Sequence, residues 1–566
     1  MKKNYFSILL VVSSVASIIA QPTITSFSPV SGPIGTAVVI TGTNFNATAA
    51  NNSVYFGAAK ATVISATSTS LSMNVPAGAS FEYISVTNLA TNLTAYSAKP
   101  FEVSFGCASG ITSGSFTPKT DYTPGNHPVF VQTGDIDGDG KPDLAEVNYN
   151  DNTVSVFRNT STIGNISFAA KVDFTVGSGP WCVYIGDIDG DGKLDLAVSN
   201  GNGNSVSVLK NTSTVGSLSF ATHVDFTTGT SPFSVCIGDL DGDGKPDLAV
   251  TNYSTIGSVS IFHNTGSVGT ISFAPKVDYT TGNTPQRVSI GDLDGDGKPD
   301  LAIADYNTSA NAVSTLRNTS TVGSISFAAK VDFPTGTNPY NAMLGDIDGD
   351  GKPDVVVTDN SANNFSVLRN TSSSGTISFA AHVDFSTGSS PVSVAIDDFD
   401  GDGKLDVAIS NQAGNTISLY KNTSTVGTIS FNGNVNLTTD GVPYSISAGD
   451  LDGDGRTDIA VVNAGGNLMS VYRNLDCPLG VAEFKDTPPV VNVYPNPFSN
   501  VITIETIDSK LFSVKVIDVL GNQIMYSAFN FANSYNMDLS GLSKGIYFLQ
   551  VTDENKKVSN KKIIKE

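Results

Sequence analysis

The sequence predicts an all-β protein whose largest part is a ring of seven similar four-stranded sheets. One ten-residue stretch recurs seven times, from GDIDGDGKPD at Gly134 to GDLDGDGRTD at Gly449. The first aspartates of successive copies are 52, 52, 53, 54, 52 and 52 residues apart. Four short apolar or alternating segments, separated by Gly, Asn, Ser or Thr, fill each period. Four strands per period of about 50 residues is typical of a β-propeller, so seven copies predict seven blades.

Each period shows the same order of strand segments. In the second period they are residues 183–185 before the motif, 196–198 and 205–209 after it, and then 218–221 leading to 224–226. The alternation and the turn residues between these segments favour strands over helices. Low charge, with 15% Asp, Glu, Lys and Arg against a usual figure of about 25%, also disfavours long surface helices.

The phase of the repeat predicts how the ring closes. A Ser-Phe pair marks the fourth-strand segment, and one pair, Ser115-Phe116, precedes the first motif while none follows the last. The last blade therefore lacks its own fourth strand. We expect residues 115–122 to fill that gap beside residues 468–473, which would leave no exposed radial edge.

These motifs resemble the FG-GAP and VCBS-type repeats of the integrin α-subunit propeller and its bacterial relatives. The shared features are a strand, a D-x-D-G-D-G-x-x-D loop and a D-L-A-V-like strand, and they cover residues 115–475. The resemblance implies a seven-bladed propeller that binds cations. It implies no reaction, because a fold alone does not specify one.

The aspartate loops are the candidate metal sites. Carboxylates at motif positions 1, 3, 5 and 9 and the carbonyl at position 7 follow the ligand order of an EF-hand loop, cut off before its position-12 Glu. Oxygen ligands without His or Cys favour Ca²⁺ over transition metals. The predicted ligands, with Lys and Arg acting through their carbonyls, are Asp135, Asp137, Asp139, Lys141 and Asp143; Asp187, Asp189, Asp191, Lys193 and Asp195; Asp239, Asp241, Asp243, Lys245 and Asp247; Asp292, Asp294, Asp296, Lys298 and Asp300; Asp346, Asp348, Asp350, Lys352 and Asp354; Asp398, Asp400, Asp402, Lys404 and Asp406; and Asp450, Asp452, Asp454, Arg456 and Asp458.

Charge arithmetic supports up to seven bound calcium ions. Four Asp in each of seven loops account for 28 of the 52 acidic residues, and seven Ca²⁺ would change the net charge from −21 to −7. Without cations these clustered carboxylates would repel one another. Because the seven loops are nearly identical, we expect the ions to be structural and not catalytic.

Seven variable positions suggest a binding surface. Each blade begins with Pro followed by a variable residue, and this residue lies six places before the first motif Asp. These residues are Val129, Trp181, Phe233, Gln286, Tyr340, Val392 and Tyr444. Their loops lie at the mouth of the central channel, on the face opposite the aspartate loops. Trp181, Phe233, Gln286, Tyr340 and Tyr444 are the candidate ligand-binding residues. The alternative is that the aromatic rings are wedges between blades.

The N-terminal flank contains two further segments. Residues 1–20 have the charged start, short apolar run and small final residue of a secretory signal peptide. Residues 21–104 contain Gly32-Pro33, Gly42-Thr43-Asn44-Phe45 and many short alternating strands, and resemble an IPT/TIG domain, an immunoglobulin-like sandwich. A spacer or docking role is expected for it, since no basic patch indicates DNA binding.

The C-terminal flank follows a propeller predicted over residues 105–480. Residues 481–492 form a Pro-containing linker, and residues 493–566 resemble a type IX secretion sorting domain of type A through Tyr494-Pro495-Asn496-Pro497, Gly545-Ile546-Tyr547 and a Lys-rich end. The resemblance implies contact with that secretion machinery and a secreted or outer-cell-surface protein. A purely structural β-sandwich is the alternative.

Four cysteines complete the candidate features. Ring closure would bring Cys107 and Cys477 together, so we predict a disulfide between them, whereas Cys182 and Cys236 are expected to be free, buried thiols. No segment of the mature chain is apolar enough to span a membrane. The net charge of −21 disfavours a nucleic-acid partner.

Together these features predict a secreted, calcium-stabilised propeller that serves adhesion or the recognition of a glycan or a protein, and that is not an enzyme. A polysaccharide lyase or hydrolase and a passive spacer are the alternatives. An enzyme would need one blade that breaks the repeat with clustered Arg, His, Lys, Glu or Tyr, and the sequence shows no obvious blade of this kind.

Overall fold

The computed structural model describes residues 21–105, 110–112, 114–306, 311–475, 491–506, 510–518, 523–553 and 558–566. The chain forms two compact units, residues 1–476 and 477–566. Among the residues that the structure describes, no helix combines the length and apolar composition that a membrane span requires.

Seven four-stranded antiparallel sheets form the propeller, as the sequence predicts. Blades 1 to 3 contain Pro128–Gly134, Asp143–Asn148, Thr153–Phe157 and Val172–Thr175; Pro180–Gly186, Asp195–Asn200, Ser205–Leu209 and Val224–Thr227; and Pro232–Gly238, Asp247–Asn252, Ser258–Phe262 and Val277–Thr280. Blades 4 to 6 contain Pro285–Gly291, Asp300–Asp305, Ala312–Leu316 and Val331–Pro334; Pro339–Gly345, Asp354–Asp359, Asn364–Leu368 and Val383–Ser386; and Pro391–Asp397, Asp406–Asn411, Thr416–Tyr420 and Val435–Thr438.

Blade 7 closes the ring in the way that the phase of the repeat predicts. Its own strands are Pro443–Gly449, Asp458–Asn463 and Leu468–Tyr472, and its fourth strand is Thr120–Tyr122. A further bridge joins Phe116 to Asn474. The two ends of the propeller segment therefore share one sheet, and blade 7 has four strands like the other six blades.

The fourth strands are shorter than the sequence analysis expected. The Ser-Phe segments do not belong to them. Instead, each Phe forms an isolated bridge to the Asn that follows the third strand, as Phe168 does with Asn159. The paired strand begins only at Val172 and its equivalents. A tight turn, such as Thr162 to Asn165, lies between the bridged Asn159 and Phe168 and interrupts the pairing after the third strand.

The second strands explain why the blades pack together. All six residues of Asp195–Asn200 are buried, and the same holds for the second strand of every other blade. Successive side chains of a strand face opposite sides of its sheet. Leu196 therefore packs with blade 1, in a cluster with Val147, and Ala197 packs with blade 3, in a cluster with Val235.

The N-terminal domain of the first unit is an immunoglobulin-like sandwich. One sheet contains, in order, Thr23–Ser28, Ala37–Thr43, Ser70–Asn74 and Val63–Ala66, and the other contains Ala59–Ala61, Asn52–Phe56, Tyr83–Asn88 and Leu93–Pro100. A short parallel pair, Ser31–Gly32 with Glu102–Val103, and a 3-10 turn, Ala49–Asn51, complete it. Its core includes Val38, Ile40 and Phe101.

The second unit is also built from β-strands. A three-stranded sheet contains Val491–Tyr494, Val501–Thr506 and Ser534–Asp538. A four-stranded sheet contains, in order, Gln523–Ala532, Leu511–Ile517, Gly545–Asp553 and Val558–Lys565. Ile502, Val514 and Leu549 lie in its apolar core.

Candidate metal centres and channel mouth

Each aspartate loop folds tightly at the end of a first strand. The glycines at motif positions 4 and 6 adopt left-handed backbone conformations, with φ of 76° at Gly138 and 89° at Gly140. Residues with a Cβ rarely adopt such angles. The loop therefore turns back on itself and brings together carboxylates from both of its ends.

Carboxylate triads form at motif positions 1, 3 and 9. In blade 1, oxygens of Asp135, Asp137 and Asp143 lie within 4.8 Å of one another, and all three residues are buried. Equivalent triads occur in further blades, for example Asp187, Asp189 and Asp195; Asp239, Asp241 and Asp247; and Asp292, Asp294 and Asp300. The carboxylate at position 5, also predicted as a ligand, is not a member of these triads, although in blade 3 Asp243 forms a separate group with Asp241 and His263.

In blades 1, 2 and 5, hydrogen bonds inside the loop leave one oxygen of the first Asp free for a cation, whereas in the other blades the equivalent oxygen accepts backbone hydrogen bonds, as in Asp239. Oδ2 of Asp135 accepts a bond from Gly140 N, and Asp143 accepts bonds from Ile136 N and Asn159 N. In contrast, the buried Oδ1 of Asp135 has no hydrogen-bond partner, and the same is true of Oδ1 of Asp187 and Asp346. Unpaired buried carboxylate oxygens beside further carboxylates fit a bound divalent cation.

The pKa values of the triad carboxylates reflect the same crowding. Burial, together with the neighbouring carboxylates, raises the pKa of Asp135 to about 7 and that of Asp143 to about 8, although backbone hydrogen bonds oppose the rise. A divalent cation would oppose these shifts, because it favours the charged form of each carboxyl group.

Position 5 pairs with a basic side chain. The residue after the third strand reaches positions 3 and 5: Lys210 Nζ lies 2.9 Å from Asp191 Oδ2 and also pairs with Asp189. In blade 3 the same place holds His263, whose Nε2 lies 3.2 Å from Asp241 and 3.5 Å from Asp243. At position 7, the side chain of Lys141 donates to the carbonyl of Ser161. In blades 2, 4, 6 and 7 a Lys or Arg thus neutralises part of the charge of the loop.

An asparagine that the sequence analysis did not single out joins neighbouring blades. Nδ2 of Asn211 donates to the carbonyls of Leu194 in its own blade and Ile136 in the preceding blade, at 2.7 and 2.8 Å. The same bonds to the preceding blade are made by Asn159, Asn264, Asn318, Asn370, Asn422 and Asn474. Its seven-fold recurrence after Arg, Lys or His was the available signal.

The immunoglobulin-like domain covers the aspartate-loop face. Gln21 Nε2 donates to Asp239 at 2.8 Å, and Thr87 Oγ1 donates to Asp187 at 3.2 Å. In addition, Asp135 N donates to Ala58 O and Gly78 N donates to Asp450 in blade 7. In blade 4, Tyr83 lies against Gly291. In blade 5, the positive charge of Lys99 opposes the rise in the pKa of Asp346. In blade 6, the backbone of Phe81 forms a hydrogen bond with Asp397. All seven blades therefore meet this domain.

A short segment of that domain, residues 81–83, enters the end of the central channel. Phe81 is buried in a cluster with Ile347 and Leu405 of blades 5 and 6. Glu82 is half-buried beside Gln132 in the first strand of blade 1, and desolvation raises the pKa of Glu82 to about 7, although hydrogen bonding to Gln132 opposes the rise. The domain consequently covers this end of the channel.

Eight aromatic rings meet at the opposite end, and we call them the mouth aromatics: His127, Tyr149, Trp181, Phe233, Tyr253, Tyr306, Tyr340 and Tyr444. Trp181 stacks on Phe233 with ring centroids 5.1 Å apart. Trp181 also lies 6.4 Å from Tyr444, and Phe233 lies 5.8 Å from Tyr340. Blades 2 and 7, and blades 3 and 5, are not neighbours, so these rings meet across the mouth.

The remaining predicted residues are placed as follows. Phe233 and Gln286 are buried, whereas Trp181, Tyr340 and Tyr444 are half-buried. The sequence analysis missed Tyr149, Tyr253 and Tyr306, which follow the second strands and vary between blades as the predicted set does.

The cysteines fall into two pairs. Cys182 and Cys236 are free and buried, as predicted, and burial raises the pKa of both thiols. Cys107 and Cys477 lie outside the described residues, so the predicted disulfide stays a prediction.

The fold and its repeated carboxylate loops define an aspartate-loop β-propeller. The family described as FG-GAP-like repeat matches residues 135–198, 189–250, 240–303, 292–357, 346–409 and 398–461, and the chain belongs to this family. The IPT/TIG domain family matches residues 22–119, and the secretion system C-terminal sorting domain family matches residues 492–566. The protein is therefore secreted or held at the outer cell surface.

Similar proteins are distant. An endo-acting ulvan lyase of Formosa agariphila is 36% identical over 74 residues, which is 13% of this chain and 14% of the lyase. Among solved structures, BBS1N in complex with ARL6DN is 12% identical and has a TM-score of 0.42 over 64% of this chain and 97% of that one. An Agrocybe aegerita lectin that recognises terminal N-acetylglucosamine is 16% identical, with a TM-score of 0.38 over 68% and 94%. Likeness at this level carries no inference about ligand or activity.

Proposed function

We propose that this protein is a secreted, non-enzymatic recognition module that binds a glycan or a protein ligand at the mouth aromatics. One observation carries this proposal: the immunoglobulin-like domain covers the aspartate-loop face, so among the described residues the aromatic end of the channel is the face left for a ligand. Adhesion of a cell surface to such a ligand is the role that fits a secreted or surface-held chain.

The chemistry of the mouth suits uncharged or weakly charged ligands. Half-buried Trp and Tyr rings present flat apolar faces together with polar edges, and such faces stack on sugar rings and on apolar peptide side chains. Ring contacts between non-neighbouring blades hold the surface in place before a ligand arrives, which reduces the ordering cost of binding.

Calcium has a structural role in this proposal. The triads would hold up to seven Ca²⁺ ions, and each ion would supply the positive charge that the crowded carboxylates lack. Seven near-identical triads give no blade a distinct reactive metal centre, so the ions would stabilise the loops on which the immunoglobulin-like domain rests. A polysaccharide lyase or hydrolase and a passive spacer are the competing functions.

Glycan-array and cell-binding assays with the secreted chain test the proposal. We expect binding that Trp181→Ala weakens by about tenfold or more, since aromatic anchors dominate many interfaces. Tyr494→Ala, which removes a half-exposed ring in the C-terminal unit, is the matched control and should bind normally.

Melting curves of the same samples separate binding from packing. Lost stability with unchanged affinity of the folded fraction would show that Trp181 is a core residue and would place binding elsewhere. Release of shortened glycan products during the assay would favour the enzyme alternative, and binding to neither glycans nor cells would favour the spacer.

A further inference from the structure

Blade 4 departs from the other six blades directly beneath the mouth. The third residue of its first strand is Arg287, and the strand places this residue one step below Gln286. The equivalent residues of the other blades are uncharged: Phe130, Cys182, Ser234, Asn341, Ser393 and Ser445. Arg287 is therefore the one charged member of this ring of seven residues.

The side chain of Arg287 crosses the channel. Its guanidinium carbon lies 4.3 Å from the centroid of the Phe130 ring in blade 1, and the guanidinium also interacts with the Cys182 thiol in blade 2. Blades 2 and 3 separate blade 4 from blade 1, so this contact spans the lumen. Arg287 is 7% exposed.

No carboxylate balances this buried charge. Within the described part of the chain, Arg287 forms no ion pair, and its Nε has no hydrogen-bond partner. Oε1 of the adjacent Gln286, which is 4% exposed, also has no partner. A buried guanidinium without an anion is costly, and Arg presents a planar fork of donors that matches a carboxylate.

Arg287 also lies close to the aromatic surface. Its positive charge favours the ionised form of Tyr340, one of the mouth aromatics, and so opposes the rise in the pKa of that phenol that burial causes. Tyr340 in turn contacts Phe233, which stacks on Trp181. A ligand that rests on these rings would thus meet a cation at the centre of the mouth.

We propose that Arg287 receives the carboxylate of an acidic sugar at the end of a glycan, while the ring of that sugar stacks on the mouth aromatics. This inference rests on the proposed function and specifies its ligand. A sugar fits better than an acidic peptide, because the surroundings of Arg287 are aromatic faces. A single anionic end fits better than a long polyanion, because the chain carries a net charge of −21.

A uronate trisaccharide and its methyl ester provide the test. Trigalacturonate and fully methyl-esterified trigalacturonate have the same sugar faces, but only the acid carries charges. Trp181 is the chain's one tryptophan, so its fluorescence reports binding at the mouth directly. We expect the acid to bind about tenfold or more tightly than the ester, in line with charge-assisted hydrogen bonds.

Substitutions of Arg287 test whether this residue causes the preference for the acid over the ester. Arg287→Gln should reduce the ratio of acid to ester affinity toward one, whereas Arg287→Lys should keep part of it. Lys276→Gln removes a positive charge just before the fourth strand of blade 3 and should leave the ratio unchanged. If Arg287→Gln does not fold, the comparison of acid with ester on the unmodified protein and on Arg287→Lys decides the question.

The possible outcomes are distinct. Equal binding of acid and ester would overturn the inference and leave the proposed function intact. Binding of neither form, together with a negative glycan array and no binding to cells, would overturn both. A preference for acid that Arg287→Gln does not change would place the anion elsewhere, and tighter binding of an acidic peptide than of trigalacturonate would overturn the choice of a sugar.

Discussion

Nδ2 of Asn159 in blade 1 donates a hydrogen bond of 2.8 Å to the carbonyl of Leu451 in blade 7, although the two residues are 292 positions apart. The same amide donates to Pro142 O, and Oδ1 accepts a bond from Ser161 N. All three bonds are buried. This asparagine joins the first blade to the last by a hydrogen bond, and the equivalent asparagines join the other six pairs of neighbouring blades in the same way.

Asn159→Ala should therefore lower the free energy of unfolding by about 2–4 kcal/mol, because two buried carbonyls lose their donor. Thermal or urea unfolding measures the loss. Asn370→Ala, which breaks the equivalent bond between blades 5 and 4, is the comparison. A similar loss in both variants would show that closure depends on the same contact as the other junctions, whereas an unaffected Asn159→Ala protein would contradict this account.

Glu146 is a buried acid in a place where the other blades have an apolar residue. It faces the same side as Leu144, which packs with blade 7. The equivalents are Val198, Val250, Ile303, Val357, Ile409 and Val461. Both carboxyl oxygens of Glu146 are buried without a hydrogen-bond partner. Burial raises its pKa well above 4.5, while Lys171 lowers it and Asp173 raises it.

Glu146→Val should raise the free energy of unfolding by about 1–3 kcal/mol at neutral pH, since it removes an unpaired buried acid. Above pH 4.5 the unfolded chain loses the proton that the folded chain keeps, so Glu146 makes stability fall as pH rises. The advantage of the variant should therefore grow from pH 5 to pH 8. Glu146→Gln should lose this pH dependence without gaining the packing. If the stability gain of Glu146→Val were the same at all pH values, the raised pKa assigned to Glu146 would be wrong.

Calcium should stabilise the folded chain, and chelation with EDTA should lower the melting temperature by many degrees. Each site contributes about 1.4 kcal/mol at a calcium concentration tenfold above its Kd. Asp135→Asn keeps the acceptor for Gly140 N but removes one carboxylate charge. It should raise the melting temperature in EDTA and reduce the gain from calcium. Asp225→Asn, on an exposed fourth strand, is the control. A melting temperature that EDTA does not change would contradict the assignment of these loops as calcium sites.

The contact between the immunoglobulin-like domain and the propeller should depend on Phe81. Phe81→Ala removes a buried ring from a cluster with blades 5 and 6, and such a change costs about 3–5 kcal/mol. We expect faster proteolysis of the domain and faster hydrogen exchange in the aspartate loops. Val30→Ala, at a side chain that is 59% exposed, should change neither. Unaltered protection in Phe81→Ala would show that polar contacts alone hold the domain.

The closing strand should be secured by a disulfide between Cys107 and Cys477. Neither residue lies in the described ranges, but Leu475 N donates to Ser115 O at 2.6 Å, so nearby parts of both segments are adjacent. The bond would contribute about 2–5 kcal/mol if unstrained. Non-reducing peptide mapping of secreted protein tests this, and two alkylatable thiols would disprove it.

The sequence by itself determined the seven blades, the closing strand and the aspartate loops, because each depends on local pattern repeated at a fixed period. Recurrence of Asp135 and its equivalents identified the loops, and the displaced Ser115-Phe116 pair predicted the sharing of blade 7. The exact bounds of the fourth strands did not follow, since the turn after Asn159 interrupts pairing in a way that strand propensity does not reveal.

Only the tertiary structure decided which face of the ring the immunoglobulin-like domain covers and which side chains meet at the other. The position of Phe81 in a cluster with Ile347 depends on how one domain packs on another, and no periodicity encodes that. Contacts such as Trp181 with Tyr444, and Arg287 with Phe130, join residues of non-neighbouring blades. Such pairs become neighbours only when the ring closes, because closure alone brings seven first strands around one axis.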